Sequence, residues 1–265
     1  MKRTLLLDGD IFIYQIASRM EMPIDWGDGQ WTLHADQREA EGRLRDYIEG
    51  LRQSLEADAV VIAIKDKENW RRSVLPTYKA NRDGVREPII RKPLMEWMAT
   101  EYKVYSRPTL EGDDVLGILA TARLIKGEKV IVSVDKDMKS IPGLVYNPNH
   151  SEDGIVSIDP LAADRWHLRQ TLMGDATDGY SGCPGIGPKK ADLILDAAIN
   201  DYLERFPDAS GSIYDACWPA VVRAYEKAGL SAEVALTMAR VARICRVTDY
   251  DFKKKEVVLW TPPSS

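Results

Sequence analysis

VIVSVDKD, residues 130–137, is an apolar run that ends on two aspartates, Asp135 and Asp137. The same arrangement occurs twice upstream. LLLDGD at 5–10 carries Leu5–Leu7 to Asp8, and VVIAIKD at 60–66 carries Val60–Ile64 to Asp66. Short aliphatic runs of this kind read as strands buried on both faces of a parallel sheet. In an open α/β sheet, ligands bind just past the carboxyl ends of the strands. The fold is therefore expected to bring Asp8, Asp66 and Asp135 to one rim. Further acids stand in LEGDD (Glu111, Asp113, Asp114) and MGDATD (Asp175, Asp178). So many carboxylates in one small site need cations to hold them. A site for two hard divalent ions is the economical explanation. Singly, each acid has a plainer reading as a helix cap, a partner of a helix dipole or a turn residue. Three strand ends carrying Asp make the coincidence harder to set aside. On a helix, Glu111 and Asp114 would share a face.

The chain has 265 residues and 45% hydrophobic content, enough for one large domain or a domain with an appendage. No apolar run approaches the ~18 residues of a membrane span. MKRTLLLDGD is too short for a secretory apolar segment and reads as a strand. Cys183, Cys217 and Cys245 are far apart, odd in number and without metal-ligand spacing, which suits a reducing compartment. A cytoplasmic location is expected. His34, His150 and His167 lie outside the acidic motifs, so a histidine-based or zinc mechanism is not expected. The formal net charge of −5 is unlike that of a typical nucleic-acid binder. The charge is uneven, however. Nine basic residues fall between Lys65 and Lys92 against four acids, Asp66, Glu68, Asp83 and Glu87. Two bound divalent ions would offset most of the net deficit, so the composition argues only against loose, metal-free, charge-driven binding.

Along the chain, the pattern predicts a strand at 4–8 and a helix at about 11–19 capped by Asp10. A loop or hairpin follows at 20–31, and Asp36 caps a helix carrying Ala40, Leu44, Tyr47, Ile48 and Leu51. Strands are expected at 59–64 and 129–134, with weaker ones at KVYS, LVYN and IVSI. Helices are expected near 93–101 and from LEGDD to Gly127. The strand–helix alternation implies an α/β sheet with helices on both faces. The expected organisation is a nuclease-like core over 1–160, including a basic segment at 67–93. A helical region over 161–265 follows, with a last strand at EVVLW (256–260) and a PPSS tail.

Two further constellations bear on chemistry. In LPTYKANRDG (75–84), Lys79 and Arg82 are three apart, and a helix would point both the same way. They are placed to contact a scissile phosphate and stabilise its transition-state charge, or else form a solvated basic face. Tyr78, Trp70 and Tyr14 are stacking surfaces for bases or parts of local core. In GCPGIGPKKADLIL (182–195), Gly185 and Gly187 flank Ile186, and Lys189 and Lys190 open an apolar-periodic helix. Backbone N–H groups at such a helix start bind phosphate, and the context is that of a helix-hairpin-helix over 175–195.

Taken together, LLLDGD, the Asp66 strand end, LPTYKANR, LEGDDVLG, VSVDKDMKSI and MGDATDGYSGCPGIGPKKA resemble the flap endonuclease/5′-to-3′ exonuclease family, in particular its bacteriophage exonucleases. The motifs keep the family's order over about 5–195, and RICRVTDYDFKKKEVVLW is similar to the end of the phage enzymes. The resemblance implies a PIN-like, mostly parallel α/β core with a helix-hairpin-helix region. It implies two Mg²⁺ ions, with Mn²⁺ as a substitute. Asp8, Asp66, Glu111, Asp113 and Asp114 match one ligand set; Asp135, Asp137, Asp175 and Asp178 match the set that completes the second. Lys79 and Arg82 match the arch residues on the scissile phosphate. The loop at 185–187 matches a duplex grip, often with a monovalent cation such as K⁺. Cleavage near 5′ ends of duplex DNA is implied, with removal of RNA from RNA–DNA hybrids in several members. About a dozen residues separate Arg82 from the helix at 93, a short arch that favours exonuclease over flap cleavage. A monomer without membrane association is expected. A PIN-type ribonuclease would share the acidic rim but not the hairpin at 185–190. A non-catalytic DNA-binding module would be expected to have lost part of the acidic set.

Overall fold

The computed structural model describes residues 2–206 and 212–263. Met1, Ser264 and Ser265, the last two belonging to the PPSS tail, lie outside the described residues. The first half runs β1 (Arg3–Asp8), α1 (Gly9–Met20), a hairpin β2 (Met22–Gly27) and β3 (Gln30–His34), α2 (Gln37–Ser54) and β4 (Ala59–Ala63). It continues through α3 (Arg71–Val74), α4 (Arg91–Glu101), β5 (Lys103–Tyr105), α5 (Gly112–Thr121), β6 (Glu128–Val132), β7 (Gly143–Tyr146) and β8 (Ile155–Ile158). The second half is helical: α6 (Pro160–Met173), α7 (Pro188–Arg205), α8 (Ile213–Lys227) and α9 (Ala232–Ala242), then the short pair β9 (Tyr250–Asp251) and β10 (Glu256–Val257).

The central sheet has the order β5-β4-β1-β6-β7-β8. β1 pairs in parallel with β4 and β6, β4 with β5 and β6 with β7; β8 is antiparallel at the edge. The three apolar runs are thus adjacent central strands, and their carboxyl ends share one rim. Period-two alternation sends their side chains to opposite faces. Leu5, Leu7, Ile62, Val130 and Val132 pack under α1, α2 and α4. Leu6, Val61, Ala63 and Ile131 pack under α5. Leu5, Leu6 and Leu7 are all fully buried, worth about 1.5–3 kcal/mol each as apolar burial. A second core joins α6–α9 around Leu168, Leu195, Val221 and Tyr225. The chain then crosses back, and Ile244, Cys245 and Tyr250 join the core beneath α5.

Several local expectations are corrected. Asp8, not Asp10, caps α1, accepting from the Ile11 amide at 3.2 Å. The strand end and the helix start coincide, so the last strand residue becomes the cap. Asp36 caps α2 as expected, accepting from Glu39 N. The helix begun at LEGDD stops at Thr121, well before Gly127. There the Thr121 hydroxyl donates to Gly117 O and accepts the Val247 amide, joining the helix end to the C-terminal segment. EVVLW is paired only at Glu256 and Val257. Trp260 leaves the pairing to pack against His167, Tyr214 and Trp218.

His167 is fully buried there, with Nε2 2.7 Å from the Ala239 carbonyl and Nδ1 3.0 Å from the Tyr214 hydroxyl. Burial, reinforced by Arg243, holds its pKa well below the usual histidine range. The folded state therefore keeps His167 neutral where the unfolded chain takes up a proton. Stability falls as pH drops below the unfolded value of about 6.5, by up to about 1.4 kcal/mol per pH unit from this group. In urea unfolding at pH 7, 6 and 5, the wild type should lose stability more steeply than His167→Gln. Equal slopes would show that His167 takes up its proton in the fold.

Candidate active site

A cleft of about 1440 Å³ opens at the carboxyl rim of the central strands. Asp8, Asp10, Asp66, Asp113, Asp135 and Asp137 contribute to its lining, and Glu111, Asp175 and Asp178 also reach it. Asp8 arrives at the end of β1, Asp66 three residues after β4 and Asp135 three residues after β6. Asp113 comes from the first turn of α5, where the positive helix terminus favours an anion.

The crowding appears in the proton affinities. Burial, joined by Asp10 and Asp135 and opposed by the Ser133 hydroxyl, pushes Asp8 up to about 7. Burial and the neighbouring Asp135 push Asp137 up to about 7 as well. Burial, Asp8 and Asp135 together hold Asp113 well above the carboxylate range. Asp137 Oδ1 is buried without a hydrogen-bond partner. Hard cations would relieve both the repulsion and the orphaned oxygen, so the donor set fits divalent ions. As placed, however, no three such side chains among the described residues stand close enough together to hold an ion. Several instead take basic partners. Lys136 Nζ lies 2.8 Å from Asp175 Oδ2, and Lys79 Nζ lies 2.6 Å from Glu111 Oε1 and 3.5 Å from Asp178 Oδ2. Arg82 pairs with Asp178 at 2.9 Å. Asp66 uses Oδ2 to accept from the Thr109 amide, pinning the approach to α5.

Lys79 and Arg82 both reach the cleft, though not from a helix as expected. Lys79 is left-handed (φ 53°), and only Ala80–Arg82 form a short 3-10 turn. That turn is fixed by the Lys79 amide donating to the Asp178 carbonyl at 2.8 Å. Burial acts to lower the Lys79 pKa, but Glu111 and Asp178 outweigh it and raise it, so the ammonium stays charged. Beyond the turn, Glu21 accepts from Arg86 and from the Ile89 amide, tying the basic segment to the end of α1.

Three sequence expectations do not match their surroundings. Asp114 does not share the cleft face with Glu111. It is fully buried and accepts from Arg71, from Trp70 Nε1 and from the Cys245 amide. Tyr78 is 2% exposed, too enclosed to stack on a base, and its hydroxyl lies 2.9 Å from Glu111 Oε2 and 3.0 Å from Asp178 Oδ2. Trp70 is likewise core. Tyr14, by contrast, is exposed on α1. Asp10, dismissed as a cap, lines the cleft and accepts from the Lys65 amide and from Arg91. Arg71 and Lys136 were also missed. Arg71 was hidden in a basic run, while Lys136 carried a signal in its place between Asp135 and Asp137.

The loop before α7 brings Asp175 and Asp178 to the cleft through two glycines packed backbone to backbone. A Cβ on Gly182 (φ +63°) would lie 2.2 Å from Gly174 N, and one on Gly174 (φ +70°) 2.4 Å from Gly182 N. Farther on, Gly185 (φ +72°) and Gly187 are exposed, and Gly187 caps α7 without a side chain. Lys189 and Lys190 are exposed in its first turn and do not line the acidic cleft.

An α/β sheet whose acidic rim faces a basic wall defines a phosphate-handling class of enzyme. The comparisons agree with that class. The family model for the 5′-3′ exonuclease N-terminal resolvase-like domain matches residues 3–147. The exodeoxyribonuclease of Enterobacteria phage T3 is 31% identical, covering 99% of this chain and 94% of that protein. The exonuclease of Escherichia phage T7 is also 31% identical, covering 98% and 94%. The chain belongs to the 5′-3′ exonuclease family and is an enzyme of that class. Its fold is similar to that of the bacteriophage T5 D15 protein co-crystallised with metal ions. The TM-score is 0.63 at 13% identity, covering 91% of this chain and 89% of that one. No helix among the described residues is long and apolar enough to cross a membrane.

The Gly174–Gly182 contact makes a stability prediction. Gly182→Ala should cost about 2–5 kcal/mol through left-handed strain and overpacking. Gly229→Ala has the same type of φ (+79°) but open space around its Cβ, and should cost about 1–2 kcal/mol. Urea unfolding of both variants checks the difference; equal losses would show that the loop yields freely.

Proposed function

We propose that this enzyme is a Mg²⁺-dependent 5′-to-3′ exodeoxyribonuclease. It hydrolyses phosphodiester bonds near accessible 5′ ends of duplex DNA by a two-metal mechanism, with Mn²⁺ as a working substitute. The observation that supports this most is the joining of the acidic rim and the Lys79–Arg82 wall in one cleft. In this reading Asp8, Asp66, Glu111 and Asp113 serve one ion, and Asp135, Asp137, Asp175 and Asp178 serve the other. Bound there, the ions would supply a water activated at neutral pH and positive charge beside the reacting phosphate oxygens. Asp8, held by the Ser133 hydroxyl at 2.8 Å, gives the rim a carboxyl group of fixed orientation. Lys79 and Arg82 orient the scissile phosphate and offset charge that develops on its oxygens.

Duplex DNA is gripped away from the chemistry at the start of α7. The Gly187 end leaves backbone amides free of a capping side chain, and Lys189 and Lys190 add charge. We assign the 185–187 turn to the helix-hairpin-helix grip, with K⁺ as its monovalent cation, and Tyr14 to base stacking. RNA strands of hybrids are accepted in the same cleft, and the monomer is the working unit. Phage-type replication or recombination is the setting we assign to it. Flap endonuclease action is the alternative within the same chemistry; duplexes labelled separately at each 5′ end, with and without a flap, distinguish the two by product length.

Excess EDTA should abolish cleavage, and turnover in its presence would sink the two-metal reading. Asp135→Asn should fold as well as or better than wild type, because like-charge repulsion falls, yet cleave far more slowly.

Lys79→Ala should lower the single-turnover rate at saturating DNA by about 10²–10³-fold, with a much smaller loss of affinity. A normal saturated rate would reduce Lys79 to a basic surface. The Lys189→Ala/Lys190→Ala pair should do the opposite. Binding should weaken and its salt slope flatten by about one phosphate contact per engaged lysine, with the saturated rate nearly kept. An unchanged slope would remove both lysines from the grip.

A further inference from the structure

Arg71 is 3% exposed, and each of its five N–H donors has an acceptor. Nε donates to the Val241 carbonyl at 2.9 Å, and one terminal nitrogen donates to Arg243 O at 2.6 Å and Asp114 Oδ1 at 2.8 Å. The other reaches Asp114 Oδ2 at 2.7 Å and Glu111 Oε2 at 3.0 Å. Asp114 is equally saturated, since it also accepts from Trp70 Nε1, the Glu111 amide and the Cys245 amide. Of all these acceptors, Glu111 is the one that lines the cleft. Its second oxygen takes Lys79 at 2.6 Å, and Tyr78, which lies under the Arg71 guanidinium at 5.7 Å, donates to the first. The pair therefore joins three separate pieces of chain. These are the basic segment through α3, the start of α5, and the end of α9 with the residues that follow it, 241–245.

Fold stability alone is a weak reason for such a pair. Well-packed apolar residues of similar volume often serve as well or better in a core. What an apolar pair cannot do is fix the rotamer of a carboxylate in the cleft. We propose that the buried Arg71–Asp114 pair is a positioning device. It sets the Glu111 carboxylate, and through it Lys79, and makes their placement depend on the docking of the segment after α9. A partner that orients a site ligand typically contributes 10–100-fold to metal affinity or activity. The inference rests on the cleft being the nuclease site proposed above.

The test uses the full chain in four variant forms, one of them Arg71→Met alone as the stability reference. Arg71→Lys keeps the charge but offers three donors from one atom, too few and too compact to serve Asp114, Glu111 and two carbonyls together. Arg71→Met with Asp114→Leu removes the pair as a unit, leaving no uncompensated charge between them. Asp113→Asn tests the cleft itself. Each is read for thermal stability, duplex affinity in EDTA, single-turnover rate at saturating duplex, and Mn²⁺ affinity without DNA by calorimetry.

The expected result for Arg71→Lys is a folded protein with duplex affinity within about twofold of wild type. Its rate and Mn²⁺ affinity should be lower by about 10–100-fold. The paired variant should recover thermal stability relative to Arg71→Met alone while staying slow and weak for Mn²⁺. Wild-type rate and Mn²⁺ affinity in Arg71→Lys, or recovery of rate along with stability in the paired variant, would overturn the proposal and leave the pair a core staple. A wild-type rate in Asp113→Asn would instead overturn the parent reading of the cleft. If the paired variant does not fold, Arg71→Lys decides alone.

Discussion

Mutual repulsion among carboxylates at the ends of three parallel strands is the constraint on which the rest of the structure depends. Burial first, and then neighbouring carboxylates, raise the proton affinity of Asp8, Asp113 and Asp137. A fold of marginal stability tolerates such a cluster only where the scaffold overdetermines it. Here the scaffold is rigid. β1 is paired on both sides, by β4 and β6, and its leucines are fully buried above and below. The strand ends cannot splay apart without breaking ladder hydrogen bonds, so the charge stays gathered.

The compensating positive charge comes from elements with few ladder bonds of their own. Lys79 sits on a left-handed turn, Arg82 on a single 3-10 turn and Lys136 on the short helix after β6. The turn carrying Lys79 is not free, because its amide is bonded to the Asp178 carbonyl and Tyr78 anchors it from below. The 174–183 loop is itself locked by the Gly174–Gly182 contact and by Asp175 and Tyr180 exchanging backbone bonds. Acidic loop and basic turn therefore form one unit. In the proposed reaction this matters energetically: a charged group already held in place needs no reorganisation when phosphate charge develops.

The sequence made the architecture legible because its strand signals were strong. Three aliphatic runs became adjacent central strands, and the aspartate after each reached the cleft. It did not make legible which acid of LEGDD faces which way. Successive residues on a helix differ by about 100° in direction, so Asp113 and Asp114 point to different surroundings. The deciding partner, Arg71, is 43 residues from Asp114. Tyr78 and Trp70 were ambiguous for the same reason. An aromatic in a basic run packs inward or stacks outward according to contacts made by distant segments, and here both pack inward. Asp10 was lost to a two-residue ambiguity, since either aspartate of DGD can cap the helix that follows.

The location of Lys189 and Lys190 bears on how a chain of net charge −5 handles a polyanion. Screening limits exposed charges to about 8–10 Å at ordinary salt, so net charge matters less than where each sign sits. The acids of the rim line the cleft, where ions and basic side chains can offset them. The α7 lysines are exposed on a different element and do not line the cleft. In the proposed function an anionic backbone is held at α7 and meets the rim where Lys79 and Arg82 are already in place. The placement of particular basic side chains, rather than a basic composition, is what reconciles an acidic protein with a nucleic-acid substrate in the proposed function.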